Sequence, residues 1–92
     1  MIKSFNHKGL ERFFETGSTA GIQAKHADKL NVLLSTLDYA SSVQDMNVPS
    51  WSFHALKGHL LGHYAVKVNG NWRLTFKFEN GNAYIVDYQD YH

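Results

Sequence analysis

The spacing of apolar positions changes near the middle of this chain, from three- and four-residue steps to every second residue. Leu10, Phe13 and Phe14 fall on one helical face with Glu11, Arg12 and Glu15 opposite, and Gly17 supplies a stop. Ser18 or Thr19 suits the opening of a second helix. From Ala24 to about Ala40, the residues Ala27, Leu30, Leu33, Leu34 and Leu37 form a single stripe, with Lys25, Asp28, Lys29 and Asn31 on the other side. That pattern predicts an amphipathic helix whose stripe is core. Ahead of both helices, Ile2-Lys3-Ser4-Phe5 alternates as a short strand does. Residues 41–50 hold the only proline, Pro49, and read as a connector within one domain.

From Trp51 onward the period is two. Trp51, Phe53 and Ala55 alternate with Ser52 and His54; Tyr64, Val66 and Val68 with Ala65, Lys67 and Asn69; Trp72, Leu74, Phe76 and Phe78 with Arg73, Thr75, Lys77 and Glu79. Asn69-Gly70 and Asn80-Gly81 separate the last runs, and Asn-Gly suits a type I′ turn, which needs positive φ at both central residues. The second half is therefore an antiparallel meander of about four strands. The fold class is α+β: two N-terminal helices packed on an antiparallel sheet, in one domain spanning residues 1–92.

Composition narrows the function classes. A chain of 92 residues buries only roughly two-thirds of its unfolded surface, and 43% hydrophobic residues with thirteen aromatics supply the compact core this requires. The absence of cysteine removes disulfides, iron–sulfur clusters and thiol catalysis. No basic-then-apolar leader opens the sequence, and no apolar run approaches the roughly 20 residues that cross a bilayer. The expected location is cytoplasmic, with no membrane partner. Net charge is only +1: residues 1–50 hold five Lys/Arg against five Asp/Glu, and residues 51–92 four against three. Bulk charge thus does not argue for nucleic acid, although four of the six histidines lie in the second half and add positive potential as pH falls toward about 6.

Chemistry concentrates on one side of the meander. If Trp72, Leu74 and Phe76 face the helices, Arg73 faces away, and His54 lies opposite Phe53. In the last strand Asp87, Gln89 and Tyr91 share one side, while Tyr84, Val86, Tyr88, Asp90 and His92 share the other. Strict alternation separates Tyr91 from His92 unless a bulge or twist rejoins them. Taken singly, Arg73 reads as an exposed cross-strand charge, Lys57 as a solvated loop lysine, and Lys67 and Lys77 as solvated strand lysines. His59 and His63 sit four apart, but Gly58 and Gly62 bracket them and disfavour the helix that zinc binding at this spacing requires. No acidic cluster accompanies the cations, so a magnesium site is not expected. RNA carries its own nucleophile, the 2′-hydroxyl. Cutting it calls for a base, an acid, and positive charge for the phosphorane.

Three segments then change the weight of these residues: Leu56-Lys57-Gly58, the hairpin Val68-Asn69-Gly70-Asn71-Trp72-Arg73, and the terminal Tyr91-His92. In this order, in so short a chain, they resemble the RelE/ParE toxin superfamily and within it the HigB branch. The likeness runs from Ile2 to His92 and is sharpest from Phe53 onward. It implies a RelE-like fold and a type II toxin that cuts messenger RNA in the decoding site of the small ribosomal subunit, without a cofactor. The partner it implies is a HigA-like helix-turn-helix antitoxin, through which alone DNA is contacted. The implied catalytic set is Lys57, Arg73, His92, Asp90, Tyr91 and His54, and the division of acid and base roles among Asp90, Tyr91 and His92 stays open; from their place on the open face, Lys67 and Lys77 are the expected RNA-binding residues, against the plain reading of solvated strand lysines. Leu60 and Leu61 depart from the polar loop usual in the family. Two other readings share the fold: a ParE-like toxin acting on a protein such as gyrase, and a silent member serving as a regulatory partner. The terminal Tyr91-His92 with Lys57 and Arg73 favours the nuclease.

Overall fold

The leucine stripe organises the core. In the computed structural model, which describes residues 1–91, helix α2 (Ala27–Tyr39) buries Leu30, Leu33, Leu34 and Leu37 in one cluster with Val66, Leu74, Phe76 and Val86. A 3-10 turn at Ala24–His26 leads into α2, so the predicted helical span is occupied by two elements that meet at His26. Helix α1 (Lys8–Thr16) is capped at its start by His7, whose Nδ1 accepts from the Leu10 N–H at 3.0 Å. It stops at Gly17, which takes φ +81° and donates its N–H to the Phe13 carbonyl, as the sequence predicts. Leu10 is fully buried, while Phe14 lies at the border of the core and packs on Phe5 with ring centroids 5.6 Å apart.

No helix opens at Ser18 or Thr19; residues 18–23 are irregular. The reason is a close crossing of Gly21 over Gly9 in α1, where a Cβ on either glycine would collide with the other's backbone. A helical course through this segment would forfeit that approach.

The sheet consists of β1 (His54–Ala55), β2 (His63–Asn69), β3 (Trp72–Glu79) and β4 (Asn82–Asp90), in the order β1-β2-β3-β4, antiparallel throughout. β1 is shorter than the alternation from Trp51 suggests. Pro49–Trp51 forms a 3-10 turn and Ser52 takes φ +51°, leaving only two residues to pair. Trp51 is nonetheless buried, with the Lys29 ammonium 5.4 Å from its ring centre. Ile2–Phe5 also forms no strand of its own. Ile2 and Phe5 make isolated parallel bridges to Ala83 and Val86, and the Ile2 N–H donates to Asp38 Oδ1 at 2.9 Å. The N-terminal segment thereby covers the outer edge of β4, a site otherwise open to foreign strands.

The two Asn-Gly steps diverge. Asn80 and Gly81 take φ +54° and +78°, the positive pair a type I′ turn demands. In the first hairpin only Gly70 is positive, and the loop is Gly70–Asn71, because Asn69 pairs with Trp72 across a register shift that follows Lys67. A second irregularity lies in β4. Thr75 pairs with Asp87 but Lys77 with Tyr84, so Ile85 is an extra residue, at φ +48°. This bulge moves Tyr84 onto the face of Lys77, opposite its predicted side, while Asp87, Gln89 and Tyr91 keep theirs. Among the described residues no helix is long and apolar enough to cross a membrane.

Candidate active site on the open face of the sheet

Directly paired residues of antiparallel strands project to the same face, so the register gives the face opposite the helices row by row. Nearest the β2–β3 hairpin lies Lys67–Arg73–Gln89. Next comes His54–Ala65–Thr75–Asp87 across all four strands, then His63–Lys77–Tyr84. Four of the residues singled out from sequence, His54, Lys67, Arg73 and Lys77, therefore share one surface.

Arg73 is held at the hairpin. Its Nη1 donates to the Gly70 carbonyl at 2.7 Å and to the Trp72 carbonyl at 3.1 Å. Both bonds use one nitrogen, so among the described residues the Nε–Nη2 edge is left for an incoming acceptor, the geometry that suits a phosphate. Beneath it Trp72 stacks on Tyr88 at 4.5 Å and meets His26 edge-on at 5.7 Å. His26 Nδ1 lies 2.5 Å from the Tyr88 hydroxyl, which also accepts from the Gln23 N–H at 3.4 Å. Burial pushes the His26 imidazole below its ordinary value, and Lys25 adds to the effect. Burial likewise pushes the Tyr88 phenol up, partly offset by the Gln23 N–H. This buried pair ties the entry of α2 to the strands that carry Arg73.

Lys57 is exposed at the start of the 3-10 turn Gly58–Leu60, where its carbonyl accepts from the Leu60 N–H at 3.3 Å. His54 is exposed, its Nδ1 3.1 Å from the Ser52 carbonyl. Lys77 sits 3.8 Å from Glu79, a pairing of two well-solvated groups. Tyr91 follows β4, its N–H donating to the Asn71 carbonyl at 2.8 Å, and it lines a cavity of about 250 Å³ on the open face with His63, Thr75, Asp87 and Gln89. Asp90 is placed apart from this group. It pairs with Trp72 on the helix side and lines a separate depression with Lys25 and His26. His92 lies outside the described residues. His59 is in the 3-10 turn and His63 begins β2, so they do not form the helical pair that their spacing allows.

The cavity brings in residues that the motif reading passed over. Asp87 is its most connected member: Oδ2 accepts from Asn6 Nδ2 at 3.1 Å and Gln89 Nε2 at 2.8 Å, and Oδ1 from the Tyr88 N–H at 2.9 Å. The shared parity of Asp87, Gln89 and Tyr91 was readable from alternation. Their meeting with Thr75 and His63 depends on the pairing register, which the Ile85 bulge sets.

Comparison with known proteins gives a consistent picture. Residues 3–92 match a family described as the RelE-like toxin of the type II toxin-antitoxin system HigB. The chain is 46% identical over 92 residues to the endoribonuclease HigB of Proteus vulgaris, with all of both chains covered. It is 32% identical over 94 residues to the toxin HigB-1 of Vibrio cholerae, covering all of this chain and 98% of that protein. Among solved structures, the YoeB-YefM complex from Staphylococcus aureus superposes with a TM-score of 0.65 at 20% identity, covering 100% of this chain and 95% of that one. The YoeB dimer from the same organism gives 0.60 at 20% identity, covering 99% and 94%. At that identity the two structures speak for the fold.

Proposed function

The chain belongs to the HigB-like family of RelE-like type II toxins, and from that premise we propose that it cuts messenger RNA held in the decoding site of the small ribosomal subunit. It is an endoribonuclease toxin of a type II system, and such a toxin has a cognate antitoxin. The observation that carries the site assignment is the row Lys67–Arg73–Gln89 beside the row that contains His54, on the one face of the sheet that the helices leave open.

The RNA backbone runs across that face. Arg73 takes the scissile phosphate through its remaining fork, and Lys57 adds a second positive charge as the phosphorane forms. A base removes the proton of the 2′-hydroxyl, the oxygen–phosphorus bond forms, and the bond to the 5′-oxygen breaks. An acid returns a proton to that leaving oxygen, and the other product ends in a 2′,3′-cyclic phosphate. Proton transfer falls to the imidazoles His54 and His92 with the Tyr91 phenol. Asp90, on the helix side, acts as a positioning residue for the end of the chain. Lys67 contributes a phosphate contact, and Lys77, beside Glu79, a weaker one. Low net charge fits a protein that is positioned on RNA by the ribosome instead of gripping free message by itself.

The antitoxin is proposed to be a HigA-like helix-turn-helix protein that touches the outer side of α2, where Val32 is 50% and Tyr39 89% exposed, and inhibits by bulk. DNA is then reached only through the antitoxin. The deciding experiment maps 5′ ends of cellular messages after brief induction of the wild type and of Arg73→Ala. Breaks confined to translated regions, absent with the variant, are expected. Growth arrest without new message ends would reject the nuclease reading and point to a protein target.

A further inference from the structure

The open-face cavity contains an acid, which sets it apart from the cationic row beside it. A carboxylate repels phosphate, so Asp87 cannot serve the backbone that Arg73 and Lys67 attract. What a carboxylate does accept is an N–H, and the exposed N–H groups of RNA are on the bases. Asp87 already receives Asn6 and Gln89 on Oδ2 and the Tyr88 N–H on Oδ1. Those three bonds use three of about four acceptor positions and hold the group rigid, with one position on Oδ1 to spare. The same cavity is lined by His63, whose Nδ1 is buried and has no hydrogen-bond partner among the described residues. Leu56, Leu60 and Ile85 supply apolar walls, and the Tyr91 ring stands at the end of β4. An unused acceptor between apolar walls forms a setting for a flat, polar-edged group.

We propose that this cavity receives one base next to the scissile phosphate and that Asp87 selects a base bearing an exocyclic amino group against uracil. The inference rests on the nuclease reading. Successive rows on one face of a strand lie roughly 7 Å apart. The Asp87–Thr75 row is thus one row from Arg73, a spacing on the scale of phosphate to base edge within a nucleotide. Cytosine, adenine and guanine each offer Asp87 an amino N–H. Uracil offers its single ring N–H only between two carbonyl oxygens, which crowd a carboxylate with like charge. Leu60 closes the cavity on the loop side, so at this position the departure from a polar loop becomes a wall for a base face.

The test uses ribosome-bound messages with all four bases at each position flanking the cut, read by sequencing 5′ ends. At one flanking position, uracil should reduce cutting by the wild type at least about fivefold relative to cytosine, the scale of a single base-edge discrimination. Asp87→Asn, which can donate as well as accept, should narrow the gap to about twofold or less. An unchanged gap in a cooperatively folded Asp87→Asn protein overturns the assignment. Asp87 also ties down Asn6, so a measurement that needs no variant is paired with it: backbone amide shifts of the wild type on titration with cytidine or uridine 5′-monophosphate. Shifts at Thr75, Asp87 and Gln89 with the cytidine nucleotide, and weaker ones with the uridine nucleotide, are expected. Equal responses, or responses only around Arg73, overturn the pocket. If those amides discriminate while the wild type cuts no message, the pocket stands and the nuclease reading falls.

Discussion

The two faces of one sheet follow opposite rules. Toward the helices, Val66, Leu74, Phe76 and Val86 are fully buried, and the strands have no charged residue there before Asp90 at the end of β4. Away from the helices, Lys67, Arg73, Lys77 and Asp87 stand on the same strands, one residue out of phase. Leu74 and Arg73 are chain neighbours, yet one belongs to the core and the other to the candidate site. The lesson is that stability and chemistry are interleaved residue by residue and separable by parity. The aromatic contacts of Trp72 are the exception, since they hold the hairpin on which Arg73 sits.

That separation can be broken most strongly at Phe76 and Arg73. Phe76→Ala should cost about 3–5 kcal/mol, because it empties a fully buried site whose surroundings relax only in part. Against a total of roughly 5–15 kcal/mol for a domain, that takes much of the stability away, and urea titration would read it as a large fall in midpoint. Arg73→Ala should leave the stability within about 0.5 kcal/mol and lower cutting on ribosomes by a factor on the order of 100 or more. A destabilised but active Arg73→Ala would place the residue with the core, against its position on the open face.

Much of this contrast was legible in the order of residues. The α2 stripe, the meander of the second half and the parity of Arg73 against Trp72 all follow from local spacing and are realised, although pairing begins at His54 and not at Trp51. What was not legible depended on contacts between distant segments. The crossing of Gly9 and Gly21 suppresses the helix start at Ser18, and the N-terminal segment joins the β4 edge only by bridges. Ile85 reads as one more β-branched strand residue, and nothing in its type announces a bulge. Alternation therefore puts Tyr84 on the face opposite the one it occupies, and the grouping of His63 and Thr75 with Asp87 requires the register. Nothing in the local spacing singles out His26. Its burial follows from the 3-10 turn that carries it under Trp72.

Ile85 and the His26–Tyr88 pair sharpen the comparison at an intermediate scale. A β-branched residue at φ +48° is strained by about 1–3 kcal/mol, and glycine relieves this at an entropic cost of roughly 0.5–1 kcal/mol. Ile85→Gly should therefore raise the stability by about 1 kcal/mol, and with it the urea midpoint, while removing an apolar wall of the open-face cavity. A lower midpoint would show that Ile85 contributes packing worth more than its strain. For His26 the folded pKa lies below the unfolded value of 6.5, so its neutral form is favoured by folding. The unfolded chain then binds more protons in acid, and stability, complete above about 6.5, is lost as pH falls through the folded value. Tyr88 has the opposite sign, with its contribution present below its unfolded value of 10.0 and lost as pH rises beyond it. Urea midpoints should be highest between these limits, and His26→Phe should flatten the acid limb; an unaltered limb would remove His26 as its cause.

The smallest expected effect separates two lysines on the same open face. Lys67 lies across from Arg73 and is exposed, whereas Lys77 is two rows away and beside Glu79 at 3.8 Å. An exposed pair of this kind contributes roughly 0–1 kcal/mol, so Lys77→Ala should hardly move the urea midpoint. The same holds for Lys67→Ala, since both side chains project away from the core. Their effects on cutting should differ. A lysine in the Arg73 row adds its charge to the backbone held there, and losing it should reduce cutting severalfold and weaken the salt dependence by about one phosphate contact. At Lys77 the neighbouring carboxylate already cancels much of the field, so the loss should stay within about twofold. Measuring cutting by both variants across a salt series decides between a phosphate track centred on the Arg73 row and a diffuse positive face. Equal losses at the two positions would support the diffuse face and detach Lys67 from the site.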